Sequence, residues 1–137
     1  MSVHQQAIGK ISLTYNWCSE KLKQSVAPYD ITTQQFNVLR ILRGQHPRPS
    51  TVSFVKETML DKMCDASRIV DRLLQKELIM KHNNNRDKRA VDIIISDKGL
   101  SLLEKIDSEV SISDIISANL TLQEAQELNQ LLDKIRG

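Results

Sequence analysis

The feature that most restricts the fold of this chain is a change of period at residue 78. From Cys64 to Leu78, the residues Ala66, Ile69, Val70, Leu73, Leu74 and Leu78 recur at helical spacing and make one apolar face. Immediately afterwards Ile79–His82 reads as a strand, and Val91–Ser96 (Val-Asp-Ile-Ile-Ile-Ser) reads as its partner. Between them lie Asn83, Asn84 and Asn85, which tolerate left-handed backbone and suit a long hairpin tip.

Helical patterns flank this centre. Ile8, Ile11, Tyr15, Cys18 and Leu22 are spaced as a heptad seam in a helix from Val3 to about Ala27, which Pro28 ends. Thr32 and Gln35 form a capping box, and Ile31 with Phe36 a hydrophobic staple, at the start of a second helix. Leu39 and Leu42 continue its stripe and Gly44 is expected to cap it. The run Gln45-His46-Pro47-Arg48-Pro49 cannot be helix interior. Ser50 or Thr51 caps a short helix to about Met59, with Phe54 and Val55 facing inward, and a turn follows at Asp61–Met63. Past the strands, Ser96 caps a long helix from Asp97 to about Ser117, with Leu103, Ile106, Val110 and Ile115 on its apolar side. Thr121 and Glu124 make a second capping box for a last helix, Leu122 to Ile135, with Ala125, Leu128, Leu132 and Ile135 as its stripe. The fold class expected is mainly α with a small β-hairpin: a helix-turn-helix followed by a hairpin, with helices added at both ends, in one 137-residue chain.

Several function classes drop out. No apolar run approaches the roughly 20 residues that cross a bilayer, and Met1-Ser2-Val3-His4-Gln5-Gln6 has no basic or apolar signal region, so a cytosolic protein is expected. Cys18 and Cys64 lie in no CxxC pair and have no His at ligand spacing, so neither a disulfide framework nor a metal site is expected. Cys18 sits on the apolar seam as a small hydrophobe. Cys64 opens the central helix, where a thiol pKa can be lowered, and reads as a spacer facing the turn or a groove. His4, His46 and His82 read as surface residues. GxSxG, HExxH, P-loop and GxGxxG motifs are all lacking, so no catalytic site and no cofactor is expected.

Net charge is only +2, so its placement carries the argument. Opposite the apolar face of the central helix lie Cys64, Arg68, Asp71, Arg72 and Gln75, and Arg68, Arg72 and Lys76 follow at i, i+4, i+8. Like charges so spaced destabilise an isolated helix by a few tenths of a kcal/mol per pair, which Asp71 offsets in part and a phosphate backbone would offset more; the alternative is a solvated surface face. At the hairpin, Lys81, Arg86, Lys88 and Arg89 bring four positive charges against Asp87 alone. Such a tip can place an Arg in a narrow minor groove.

Ser67-Arg68-Ile69-Val70-Asp71-Arg72-Leu73, then Leu78-Ile79, then Asp87-Lys88-Arg89, then Ile95-Ser96-Asp97-Lys98-Gly99 together resemble the core signature of the MarR (multiple antibiotic resistance regulator) family. Glu77 takes the place of the Gly that suits a left-handed cap, Lys81 stands near a usual Arg, and Ser96 replaces Thr. The resemblance implies a winged-helix core over residues 31–96, with residues 1–27 and 97–137 as dimerisation helices. It implies a homodimeric regulator of transcription, expected as a repressor, on double-stranded DNA at a pseudo-palindromic operator. Ser67, Arg68, Asp71, Arg72 and Lys76 would serve as recognition-helix contacts, and Arg86, Asp87, Lys88 and Arg89 as the wing, with Arg89 in the minor groove and Asp87 bracing it. Ile8, Ile11, Tyr15, Leu22, Leu128 and Leu132 would lie in the dimer interface. Many members release DNA when a small phenolic or other anionic effector binds. Two readings compete: a winged-helix module that binds protein rather than DNA, and a small-molecule-binding protein with no DNA role.

Overall fold

A computed structural model of the chain describes residues 1–82 and 91–137. They form two compact units, one of residues 23–109 and one of residues 1–22 with 110–137. The helices are α1 (Val3–Val26), α2 (Thr33–Gln45), α3 (Val52–Thr58), α4 (Ala66–Gln75), α5 (Asp97–Glu109), α6 (Asp114–Ser117) and α7 (Leu122–Arg136), with a 3-10 turn at Ala27–Tyr29. The strands are β1 (Ser50–Thr51), β2 (Ile79–His82) and β3 (Asp92–Ile95).

The larger unit is built around α2. Thr32 Oγ1 accepts from Gln35 N (3.0 Å) and Gln35 Oε1 accepts from Thr32 N (3.1 Å), which closes the expected capping box. Phe36, Val38, Leu39 and Leu42 are then buried with Val55 of α3, Val70 and Leu73 of α4, and Leu103 and Ile106 of α5. The sheet is antiparallel in the order β1-β3-β2, with Ile79 opposite Ile95 and Ser50 opposite Ile93. Ile93 and Ile95 point into the core while Asp92 and Ile94 are half-buried, the alternation of a strand covered on one face. β1 went unseen in the sequence because two residues are too few to show a period.

Three boundaries and the facing of one side chain differ from what the sequence predicts. Gly44 is not a cap. The helix runs on to Gln45, and His46 still donates its N–H to Leu42 and Arg43 before turning extended (ψ 135°), as the residue before a proline tends to do. Phe54 is exposed while Val55 is fully buried, since neighbouring helical residues cannot share one narrow face. α4 starts at Ala66, because Asp65 is the N-cap and accepts from Arg68 N (3.2 Å), and Cys64 therefore lies in the preceding turn. The helix expected to run from Asp97 to Ser117 stops at Glu109: Val110-Ser111-Ile112-Ser113 alternates β-branched residues with serine, all weak helix formers, before α6 begins.

The end of α4 is a left-handed cap without glycine. Glu77 has φ 63°, Leu78 N donates to Leu73 O (3.1 Å) and Glu77 N to Leu74 O (3.0 Å). This is a Schellman motif, and the apolar contact that accompanies it is supplied by Leu73 and Leu78, both buried. Ser96 fastens the motif to α5. Its Oγ donates to Glu77 O (2.7 Å) and accepts from Gly99 N (3.1 Å), while its own N–H donates to Leu78 O (3.1 Å). A side chain at Gly99 could not fit, because its Cβ would overlap Leu78 O and lie 2.7 Å from Ile95 Cγ1.

In the smaller unit, burial is sparse. α7 has its capping box, with Thr121 N donating to Glu124 Oε1 (3.0 Å), which holds the Glu124 carboxyl below its usual range. Yet none of its 15 residues is fully buried, and the one buried residue of α1, Val26, belongs to the larger unit. No described helix is long and apolar enough to cross a membrane.

Two stability outcomes follow from the cap. Ser96→Ala removes an N-cap acceptor and leaves Glu77 O without its donor, so it should cost about 1–3 kcal/mol. Glu77→Gly relieves left-handed strain, partly offset by the entropy of a freer unfolded chain, and should add about 0.5–1 kcal/mol. Urea unfolding midpoints at one fixed protein concentration read both.

Candidate nucleic-acid interface

Packing of α4 on α2 and α3 fixes which of its residues face outward. Ala66, Val70 and Leu73 are buried, and Ser67, Arg68, Asp71, Arg72 and Gln75 are exposed on the other side. Arg68 and Arg72 are one turn apart, about 6 Å along the axis. Among the described residues neither guanidinium has an ion-pair or hydrogen-bond partner; the salt bridges there are Arg43–Asp107 and Arg136–Asp133. Two adjacent cations on a short helix are a local cost that Asp71 on the same face offsets in part and a ligand of opposite sign would relieve further.

Lys76 does not continue this row. α4 ends at Gln75, so Lys76 is its C-cap, and its ammonium donates to Asp30 O and to Gln35 Oε1 (3.3 Å). Lys98 Nζ in turn donates to Lys76 O (3.0 Å). Both lysines thus satisfy carbonyls and link the end of α4 to the segment before α2 and to α5. No local pattern signals these links, because the partners are 46, 41 and 22 positions away.

On the sheet, Lys81 and His82 of β2 are exposed, as expected for a cationic ribbon. Arg86, Asp87, Lys88 and Arg89 lie outside the described residues. His4 and His46 are exposed too, and Cys18 is half-buried.

The turn between α3 and α4 is tightly bonded. Asn37 Oδ1 accepts from Leu60 N (3.0 Å), Asp61 Oδ1 from Met63 N (3.0 Å), and Lys62 Nζ donates to Glu57 O. Cys64 Sγ donates to Asp61 O (2.9 Å). Burial, then the nearby Asp61 carboxylate, pushes the Cys64 thiol up rather than down, the reverse of what a helix start would do. Sequence reading passed over Leu60 and Met63. Their signal was two large apolar side chains in a turn that a polar residue would fill equally well.

A cleft of about 390 Å³ opens at the C-terminal end of α4. Ile31, Leu78 and Leu102 give it apolar walls, and Lys76, Lys98 and Lys105 bring three cations against Asp30. Tyr29 also borders it. Its hydroxyl donates to Glu109 Oε2 (2.7 Å), a bond that raises the phenol pKa and keeps the proton in place.

Known proteins resemble this chain in sequence and in fold. The model of the MarR family matches residues 31–91. The HTH-type transcriptional regulator MgrA of Staphylococcus aureus is 32% identical over 107 residues, which cover 78% of this chain and 71% of that protein. The HTH-type transcriptional regulator MhqR of Bacillus subtilis is 24% identical over 127 residues, 91% of this chain and 86% of that protein. Among solved structures, a MarR mutant from E. coli complexed with operator DNA superposes with TM-score 0.80 at 25% identity, covering 98% of this chain and 99% of that one. AbsC, a MarR-family regulator from Streptomyces coelicolor, shares the fold at TM-score 0.82 and 18% identity, over 99% of this chain and 94% of that one.

With its thiol raised by burial and by Asp61, Cys64 should be slow to alkylate at neutral pH. A pH series of iodoacetamide labelling on a Cys18→Ser variant should place its midpoint above that of a free cysteine. A midpoint below it would mean that the turn does not enclose the sulfur.

Proposed function

The chain belongs to the MarR family of transcriptional regulators, and from that membership we propose that it is a repressor that grips a pseudo-palindromic operator in double-stranded DNA as a homodimer. The observation that carries the reading is the outward face of α4, where Arg68 and Arg72 stand exposed beside Ser67 and Asp71 and make no ion pair or hydrogen bond through their guanidinium groups among the described residues. A recognition helix enters the major groove, so Ser67 and Arg68, on its first turn, meet base edges, and Arg72 meets bases or phosphate. Arg86, Lys88 and Arg89 would add the minor-groove contact, with Asp87 bracing Arg89. The DNA-bound E. coli relative supports this assignment by analogy of fold.

The homodimer is supported by what α1 and α7 leave uncovered. Ile8 is 67% exposed, and Ile11, Tyr15 and Leu128 are exposed as well, with Leu22 and Leu132 half-buried. Helices with an apolar stripe and almost nothing buried are stable against a second apolar surface, and a second copy of the same helices supplies one. Two-fold symmetry would set the two recognition helices about 34–36 Å apart, in successive major grooves. The cleft at the end of α4 supports an anionic effector: it has a volume suited to a small ligand, apolar walls and three ammonium groups.

Three measurements test the reading. Arg89→Ala should weaken operator binding by about 1–3 kcal/mol, and Arg68→Ala or Arg72→Ala should lower affinity and, for a phosphate contact, flatten the salt dependence by about one unit of slope. Full DNA affinity in all three variants would favour the protein-binding module. Sedimentation should find dimers in the parent and monomers in Ile11→Asp with Leu128→Asp. Aromatic carboxylates should raise the melting temperature of the parent and not of Lys98→Met with Lys105→Met.

A further inference from the structure

Within residues 23–109, the two most exposed large apolar side chains are Met63 (94%) and Leu60 (83%). Single exposed apolar residues need no explanation. These two occupy one short turn, three to six positions before Ala66, where α4 begins. The turn is not a loose loop that happens to present them. Asn37 holds the amide of Leu60, Asp61 holds the amide of Met63, and the Cys64 thiol closes on Asp61 O. The backbone is therefore fixed by polar groups while the apolar side chains are left pointing to solvent.

Building on the DNA-binding reading above, we propose that Met63 is a specificity residue: its thioether tip contacts a thymine methyl at the edge of the sequence read by α4, with Leu60 beside it. Three physical points carry this. The N-terminal end of a recognition helix is the end nearest the base edges. Met63 lies two residues before the N-cap Asp65, so its Cα is within about 7 Å of the cap. The thymine C5-methyl is the apolar group on the major-groove edge of the bases, so an apolar tip there discriminates where a polar one would not. Methionine is unbranched and polarisable, and it adapts to a neighbour whose position is set by other contacts. Arg68 and Arg72 would supply hydrogen bonds and charge; Met63 would supply the shape-sensitive contact they lack.

The test uses duplexes that the full-length protein enriches from a random library, with each thymine replaced in turn by deoxyuridine, which removes the methyl group alone. In the parent, replacement at one thymine per half-site should weaken binding about fourfold, the factor for one methyl withdrawn from contact. Met63→Ser should bind the unmodified duplex more weakly and show no response at that thymine, while keeping its responses elsewhere. Met63→Leu should restore the response. Because Met63 is so exposed, equal melting temperatures should confirm that the variants fold alike. The proposal is overturned if Met63→Ser and the parent give the same deoxyuridine profile while both bind. If no duplex is enriched at all, the DNA-binding reading itself fails, and this proposal falls with it.

Discussion

One hydroxyl bonds the end of the helix that would read DNA to the first turn of α5. Ser96 Oγ lies between Glu77 O and Gly99 N, and Ser96 N–H bonds Leu78 O, so the left-handed turn that ends α4 and the first turn of α5 share one set of hydrogen bonds. Buried carbonyls at a helix end must find donors, and here they find them on the next structural element. Gly99 allows this closeness, since any side chain would strike Leu78 and Ile95. The motif Ile95-Ser96-Asp97-Lys98-Gly99 is thus a packing requirement: a hydroxyl to bridge, then three residues on a position with no room for Cβ.

What was legible in the sequence was what is local. Both capping boxes appear as expected, since each needs residues only three apart. The outward face of α4 was legible because its inward face is so regular. Less legible were features set by tertiary context. Glu77 adopts the left-handed conformation that glycine usually takes, because Leu78 is drawn into the core and the turn has no other way to close. Lys76 reads as a surface cation in sequence, and only the fold brings it to Asp30 and Gln35. The helix after Ser96 shows helical spacing as far as Ile115, but Val110 to Ser113 interrupt it, and apolar spacing alone does not register weak helix formers.

The two units differ in how complete they are. Residues 23–109 bury side chains from four helices and the sheet around Leu39 and Leu42. The helices of the other unit keep Ile8, Leu13, Tyr15, Leu131 and Ile135 in solvent. Such a division fits the proposed homodimer: residues 23–109 carry their own core, and the exposed apolar stripes of the other unit would gain stability from a second copy.

The ammonium links at the end of α4 have a mechanical meaning. Lys76 reaches Asp30 and Gln35, and Lys98 reaches Lys76 O, so the C-terminal end of α4 is tied to α5 and to the entry of α2. The ten residues of α4 make a rod about 15 Å long, and tilting it by about five degrees about that anchored end would carry Ser67, about 13.5 Å from Lys76, through roughly 1.2 Å. Hydrogen bonds to base edges do not survive a displacement of that size. If α5 moved, α4 would act as a lever with its fulcrum at the lysines, and a small movement of α5 would be magnified at the opposite tip.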